Sequence, residues 1–217
     1  MPDICKYEGN QVLLVEGKSD CHSILALCKF FNLPQTFGIY QCGNDIGVLK
    51  RLNALIIQPA TPISVGIVMD ADAPDVAGRW IQIREKIKNH KYTFPESPDT
   101  HGTIITGSND KPNIGIWLMP NNQNPGMLED FLIQMAEQNA ISAAKKCLET
   151  ALNIGVTTFK EAHFSKALIH TYLAWQDEPG KPLGQSITAH SLKPDTDNAK
   201  KFIDWLKRLF YFEINEL

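Results

Sequence analysis

Carboxylate side chains follow two apolar segments of the sequence, at points where a strand would end. Glu16 comes after the apolar run 12–15, and Asp70 and Asp72 come after the apolar run 63–69. In an open parallel sheet, the carboxyl ends of the strands meet at one edge, where ligands bind. Carboxylate oxygens are ligands that hard cations such as Mg²⁺ and Mn²⁺ prefer. The spacing alone leaves two interpretations open: a cation site, or the helix caps and turns that such residues more often form.

Other catalytic and nucleotide-binding patterns are not found in the sequence. The tripeptide 17–19 reads Gly-Lys-Ser, but a phosphate-binding loop needs a glycine five positions earlier, and Val12 stands there. The six histidines are dispersed, so a histidine metal site would require distant residues to converge. Neither a Gly-x-Ser-x-Gly nucleophile elbow nor a Gly-x-Gly-x-x-Gly dinucleotide loop occurs. The acidic residues therefore remain the main candidates for chemistry.

Alternating strands and helices must position these carboxylates. Short apolar runs predict strands at 11–16, 36–41 and 63–69, and each is followed by residues at helical spacing. The three helices are predicted to begin at Ser19 or Asp20, at Asn44 or Asp45, and after Pro74. Further strands are predicted at 103–106 and 113–119, and further helices at 127–138, 140–153, 165–177 and 197–211. The pattern predicts an α/β core at 1–138, with a parallel-rich sheet covered on both faces, and a helical extension at 139–217 packed on that core.

The composition narrows the class of protein. With 217 residues, 43% of them hydrophobic, the chain can bury a substantial core. No apolar run approaches the roughly 18–20 residues of a membrane-spanning helix, and the first residues do not resemble a signal peptide. Five scattered cysteines favour reduced, buried thiols over a disulfide framework or a zinc site, and we expect a cytoplasmic protein. A net charge of -3 predicts that the isolated chain binds nucleic acid weakly.

The order of the acidic motifs resembles that of the Toprim domain. Glu16 matches the glutamate motif of this domain, and Asp70 and Asp72 match its Asp-x-Asp motif, within a match over roughly 10–135. Topoisomerases, DnaG-type primases and nucleases of the OLD (overcoming lysogenization defect) group carry the domain. The resemblance implies a Toprim-like fold and a reaction at phosphodiester bonds that depends on Mg²⁺ or Mn²⁺.

A closer resemblance covers nearly the whole chain. The segments 115–120, 124–131, 166–180 and 202–210 are similar to an uncharacterised bacterial family of stand-alone Toprim-like proteins related to OLD nucleases. By analogy with the OLD group, Glu129 is implied as an additional metal ligand and Lys166 as a residue that assists catalysis. OLD nucleases couple the Toprim domain to an ATPase, so the resemblance also implies a separately encoded ATPase partner and a role in phage defence.

Three functional hypotheses follow from the motifs and the resemblance. The first is a nuclease that uses Mg²⁺ or Mn²⁺ to hydrolyse DNA or RNA, with Glu16, Asp70, Asp72 and Lys166 as catalytic residues. The alternative is a Toprim-like subunit with little or no catalysis, which binds nucleic acid or regulates a partner ATPase. Primase-like nucleotidyl transfer is the weakest hypothesis, because the sequence contains no primase zinc module. The sequence does not determine the oligomeric state, and a homo-oligomer is compatible with it.

Overall fold

A five-stranded, mostly parallel sheet forms the centre of the molecule. The computed structural model describes residues 3–7, 9–58, 61–108 and 111–211. The strands are β1 (Gln11–Val15), β2 (Gly38–Gln41), β3 (Ser64–Asp70), β4 (Thr103–Ile105) and β5 (Asn113–Met119). They lie in the order β2-β1-β3-β5-β4, and only β4 runs antiparallel to its neighbour. The predicted α/β class with a parallel-rich sheet is confirmed.

Helices connect the strands and form most of the chain after β5. They are α1 (Lys18–Phe30), α2 (Asp45–Ile57), α3 (Val76–Ile87), α4 (Leu128–Ile133), α5 (Gln138–Asn153), α6 (Phe164–Leu173), α7 (Leu183–Thr188) and α8 (Asp197–Phe210). Side chains cap several of these helices: for example, Asn44 accepts a hydrogen bond from Gly47 N at 2.8 Å, and Asp75 accepts one from Gly78 N at 2.9 Å. Within the described ranges, no helix is both long and apolar enough to cross a membrane.

Two helices after β5 have bounds that differ from the prediction, and a third helix had not been predicted. The predicted helix 127–138 is split, because α4 ends at Ile133 and Glu137 caps the next helix through hydrogen bonds from Asn139 N and Ala140 N. The predicted helix 165–177 ends earlier, at Leu173. The short helix α7 was not predicted.

The side chains of each strand alternate between two apolar layers. In β1, Val12 and Leu14 face a layer that α2 and α3 cover, whereas Leu13 and Val15 face a second layer. The second layer contains α1 together with residues of all five helices from α4 to α8. One continuous cluster thus joins residues on both sides of position 138, and the helices after this position bury their apolar faces against the sheet.

The last helix, α8, lies in a groove that two glycines create. Gly66 of β3 and Gly115 of β5 are paired in register, and a Cβ at either position would come within 3 Å of Leu209. Beside them, Trp205 packs against Trp117 with ring centroids 5.8 Å apart and the ring planes tilted by 43°, and its Nε1 donates a hydrogen bond to Thr103 O at 3.3 Å. The absence of side chains at the two glycines allows α8 to approach the sheet backbone closely.

A disulfide joins Cys5 to Cys21, which corrects the prediction of reduced thiols. The residues before β1 run beside β2, where Gln41 N donates a hydrogen bond to Cys5 O at 2.8 Å. This pairing places the Cα atoms of Cys5 and Cys21 6.0 Å apart, a separation that a disulfide can span. Disulfides are rare in the reducing cytosol, so the bond weighs against the predicted cytoplasmic location. Cys28, Cys42 and Cys147 are not joined in disulfides.

Candidate functional site

Two of the predicted acidic residues join the ends of β1 and β3. The amide N of Asp70 donates a hydrogen bond to Oε1 of Glu16 at 3.0 Å, across the edge where both strands end. In turn, Oδ1 of Asp70 accepts a hydrogen bond from Leu128 N at 3.0 Å, which links β3 to the start of α4. Ala71 and Gly126 exchange two backbone hydrogen bonds and hold the two adjoining loops together. The arrangement follows from parallel strands ending at one edge.

Asp70 lies at the centre of a group of negative charges. Burial is the main reason that its pKa is raised to about 8, and the charges of Asp20, Glu16, Glu129 and Asp72 raise it further. These five residues are called the carboxylate cluster below. Burial also raises the pKa of Glu16, although the hydrogen bond from Asp70 N and the charge of Arg79 oppose this shift. The cluster therefore holds more negative charge than its surroundings neutralise.

Asp20 is a member of the cluster that sequence reasoning assigned only to a helix cap. Its Oδ2 does accept a hydrogen bond from Gly17 N at 3.0 Å, and the side chain is 8% exposed. Burial raises its pKa to about 7, with further contributions from the charges of Glu16 and Glu129. Its position four residues after Glu16, on the first turn of α1, was the available signal, because the strand end and the first helical turn lie at the same edge.

Asp72 is the most exposed of the three aspartates in the carboxylate cluster. Its side chain is exposed, and its Oδ1 accepts a hydrogen bond from Ala73 N at 2.8 Å. This contact shapes the turn between β3 and α3. Asp72 therefore acts on Asp70 through its charge, while its own carboxylate is exposed to solvent.

Arg79 is a buried cation that the sequence did not reveal. Its Nε donates a hydrogen bond to Asp70 O at 2.9 Å, and its Nη2 donates one to Ala73 O at 3.2 Å. Its Nη1 contacts Oδ2 of Asp45 at 2.7 Å, and this hydrogen bond lowers the pKa of Asp45. The side chain is only 3% exposed. Arg79 therefore fixes the backbone that carries Asp70 and brings a permanent positive charge close to Glu16.

Glu129 and Lys166 form an ion pair on the other side of the cluster. Lys166 Nζ lies 3.5 Å from Oε1 of Glu129, and the two side chains are 56% and 7% exposed respectively. The neighbouring residues also join α4 to α6, because Ser165 Oγ donates a hydrogen bond to Asp130. The structure thus brings together the two residues that the resemblance implied, and places Lys166 where its ammonium group reaches solvent.

The carboxylates share an edge of the sheet without forming a ready set of metal ligands. Within the ranges that the structure describes, no three Asp, Glu, His or Cys side chains are grouped so that they could hold a metal ion. Two causes are visible: Glu16 and Asp70 each direct one oxygen at a backbone amide, and Asp72 lies outside on the turn. The second oxygen of each buried carboxylate is the one that could bind a ligand.

The loop after β5 borders this edge and is shaped by asparagines. Oδ1 of Asn121 accepts hydrogen bonds from Gln123 N at 3.1 Å and Asn124 N at 2.9 Å. The side chain of Asn122 is buried and accepts a hydrogen bond from Leu118 N at 2.7 Å. Both residues thus use their amides to hold the turn that leads from β5 to α4, and so to Glu129.

Comparison with known proteins identifies one family. A family model described as "Protein of unknown function (DUF3226)" matches residues 10–211. No curated protein and no solved structure matches the chain. The matched span includes every residue of the carboxylate cluster, as well as Arg79 and Lys166.

Proposed function

We propose that this chain, which belongs to the DUF3226 family, is a metal-dependent nuclease that hydrolyses phosphodiester bonds of DNA or RNA. The observation that supports it is the junction of Glu16 and Asp70 at the ends of β1 and β3, surrounded by the charges of Asp20, Asp72 and Glu129. Such a concentration of buried carboxylates is costly unless protons or a cation offset the repulsion. The proposal includes the relation to Toprim domains and OLD nucleases.

The carboxylate oxygens of the cluster are the ligand type that Mg²⁺ and Mn²⁺ prefer, although the described side chains are not grouped as a ready set of three ligands. Glu16, Asp70 and Asp72 would hold the cation, with Glu129 as a further ligand, because hard divalent cations prefer carboxylate oxygens. A bound divalent cation supplies a water of lowered pKa and stabilises negative charge on a leaving oxygen. Glu16 is also suited to accept a proton from an attacking water, because burial raises its pKa from the ordinary value.

Lys166 is the residue of this site that is best placed to meet a substrate. Its ammonium group is more than half exposed and lies beside Glu129, so it can leave this carboxylate and contact a phosphate oxygen. A cation in this position would stabilise the charge that develops on the phosphate in the transition state. Arg79 does not compete for this role, because backbone carbonyls and Asp45 already occupy its donors.

A second candidate is a regulatory subunit that binds nucleic acid without cleaving it. The absence of a preassembled group of three metal ligands among the described residues favours this alternative. In that case the chain would act through the proposed separately encoded ATPase, in phage defence. We also propose a cytoplasmic location for either candidate, although the disulfide between Cys5 and Cys21 weighs against it. Recovery of the untagged protein in the cytoplasmic fraction tests this location.

A cleavage screen with purified protein separates the two candidates. Supercoiled DNA, linear DNA, single-stranded DNA and RNA are each incubated with Mg²⁺, Mn²⁺ or a chelator. We expect cleavage that requires metal and is lost in Glu16→Gln and Asp70→Asn, whereas the exposed control Asp204→Asn cleaves like the wild type. Circular dichroism shows whether each variant is folded. Full activity of both folded cluster variants would exclude the proposed site, and metal-independent binding without cleavage would favour the regulatory subunit.

A further inference from the structure

Three cationic side chains gather around one tyrosine at the edge of the sheet. Lys6 Nζ lies 4.9 Å from the centre of the Tyr40 ring, and the guanidinium carbon of Arg51 lies 5.1 Å from it. Lys50 borders the same ring through a shallow hollow of about 320 Å³ that Tyr40 and Arg51 also line. We call Lys6, Tyr40, Lys50 and Arg51 the basic patch. Because the negative π-cloud of an aromatic face attracts cations, the ring positions Lys6 and Arg51, and Lys50 lies beside them on the rim of the hollow.

The basic patch lies next to the carboxylate cluster. Tyr40 on β2 is paired in register with Leu14 on β1, two residues before Glu16. Since a strand rises about 3.3 Å per residue, Glu16 lies about 7 Å beyond the Leu14–Tyr40 pair along the strand direction. Directly beyond the patch, Cys42 N donates to Val15 O and Gly43 N donates to Glu16 O, both at 2.8 Å. The patch and Glu16 are therefore fixed relative to each other by the sheet.

The two lysines of the patch present their charges to solvent. Among the described residues, neither Lys6 nor Lys50 forms an ion pair with a carboxylate, and both are exposed. The chain as a whole carries a net charge of -3, and the neighbouring cluster adds local negative potential. A polyanion that reaches Glu16 must overcome this repulsion, and the patch is a cationic surface beside it that can offset the cost.

We propose that the basic patch binds the sugar-phosphate backbone of a nucleic-acid strand and delivers the next phosphates to the edge at Glu16. This inference rests on the proposed function and adds to it the surface that holds the substrate. Lys6 and Lys50 neutralise phosphates, which is the part of nucleic-acid binding that does not depend on sequence. The ring of Tyr40 is half-buried and positions the cations.

The test measures binding without metal, so that it is independent of cleavage. A short fluorescein-labelled single strand and the matching duplex are titrated with protein in chelator, at several salt concentrations, and followed by fluorescence anisotropy. The variant is Lys6→Ala/Lys50→Ala, and the control is Lys145→Ala/Lys207→Ala, which removes two exposed lysines from α5 and α8. Lys50→Ala alone serves as a second variant, and thermal melts compare the stability of all four proteins.

We expect the patch variant to bind about tenfold more weakly and to lose about 1.4 from the slope of log affinity against log salt, since two contacts to a single strand disappear. Equal affinity and slope in the patch and control variants would overturn the proposal, as would no binding by the wild type. Stronger competition by polyglutamate than by the unlabelled single strand at the same charge concentration would also overturn it and indicate an acidic protein partner. Patch-dependent binding without cleavage in any metal would retain the patch and reject the nuclease, whereas cleavage that both variants retain would do the reverse.

Discussion

Two positive charges flank the carboxylate cluster, and they are held in opposite ways. On the side of α3, Arg79 is 3% exposed and donates to two backbone carbonyls and Asp45. On the side of α6, Lys166 is 56% exposed and contacts Glu129 alone among the ion pairs of the described residues. The first charge is part of the framework, and the second is free to change partners. The contrast indicates that burial and the number of acceptors separate a structural cation from one that can serve a substrate.

Removing the buried charge is expected to give the largest effect on stability. Arg79→Met should lower the free energy of unfolding by about 3 kcal/mol, because it leaves Asp45 and two carbonyls without their donor. Chemical denaturation, monitored by circular dichroism, measures the change. Arg84→Met is the matched control on the same helix, since this side chain is exposed. If both variants unfolded at the same denaturant concentration, Arg79 would not be the structural charge that the contrast requires.

A divalent cation should stabilise the cluster that lies between the two charges. At a free Mn²⁺ concentration of about 100 times its dissociation constant, the free energy of unfolding of the wild type should rise by about 2.7 kcal/mol. The same Mn²⁺ concentration should stabilise Asp70→Asn much less, because the neutral amide is a poor cation ligand. The amide oxygen can still accept the hydrogen bond from Leu128 N, so the fold should be kept. Thermal melts in chelator and in Mn²⁺ provide the comparison, with Asp204→Asn as the control. Equal gains in all three proteins would place any cation outside the cluster.

The protons of the cluster should make the metal-free protein less stable as the pH rises. The folded-state pKa is raised to about 8 for Asp70 and about 7 for Asp20, whereas an unfolded aspartate has a pKa of about 3.9. Between about pH 4 and pH 8, the folded state therefore keeps protons that the unfolded state loses. The free energy of unfolding should fall by up to about 1.4 kcal/mol per pH unit for each such proton.

Asp70→Asn tests this pH dependence directly. The variant cannot release the proton, so its stability in chelator should fall less steeply with pH than that of the wild type. Urea unfolding across the pH range, in chelator, gives both slopes. A wild-type stability that rises from pH 5 to pH 8 with the same slope in the variant would show that Asp70 is ionised in the folded protein.

Replacing the exposed charge should have the smallest effect on stability and a large effect on activity. Lys166→Met should change the free energy of unfolding by about 1 kcal/mol, because the lysine is more than half exposed even though its partner Glu129 is buried. If the chain is a nuclease, cleavage should fall by about a hundredfold, because a cation at the phosphate is lost. Lys145→Met, whose side chain is 57% exposed in an ion pair with Glu149, is the matched control. Unchanged cleavage would reduce Lys166 to a surface ion pair.

The sequence predicts best what depends on short-range pattern. The apolar run of β5 predicted its bounds, Asn113–Met119, without error. The parallel order of β1 and β3 was enough to predict that Glu16 and Asp70 meet, since strand ends converge at one edge. The helix α7 was missed because its six residues are too few to show a helical period, although Gly184 packs directly against the backbone of His22.

Contacts between distant residues account for what the sequence did not predict. Arg79 has the spacing of an ordinary helical residue, and its partner Asp45 lies 34 residues earlier, so only the folded chain shows that the charge is buried. The same holds for Cys5 and Cys21, which meet because the chain before β1 pairs with β2. The prediction of Ser19 or Asp20 as the helix cap was wrong, because α1 begins at Lys18 after the N-cap Gly17, and Asp20 lies in the first turn with its side chain bonded to Gly17 N. Its burial beside Glu16 is set by tertiary packing.

The paired glycines beneath α8 limit how this fold can diverge. Gly66 and Gly115 face each other across β3 and β5, and a methyl group at either position would overlap Leu209. A descendant sequence could enlarge Gly115 only if residue 209 became smaller or moved, and at position 66 Leu13 would have to give way as well, so these positions should change together or stay as they are. A homologue with larger residues at both sheet positions should seat its last helix farther from the sheet, which makes the glycine pair a short signature of this arrangement.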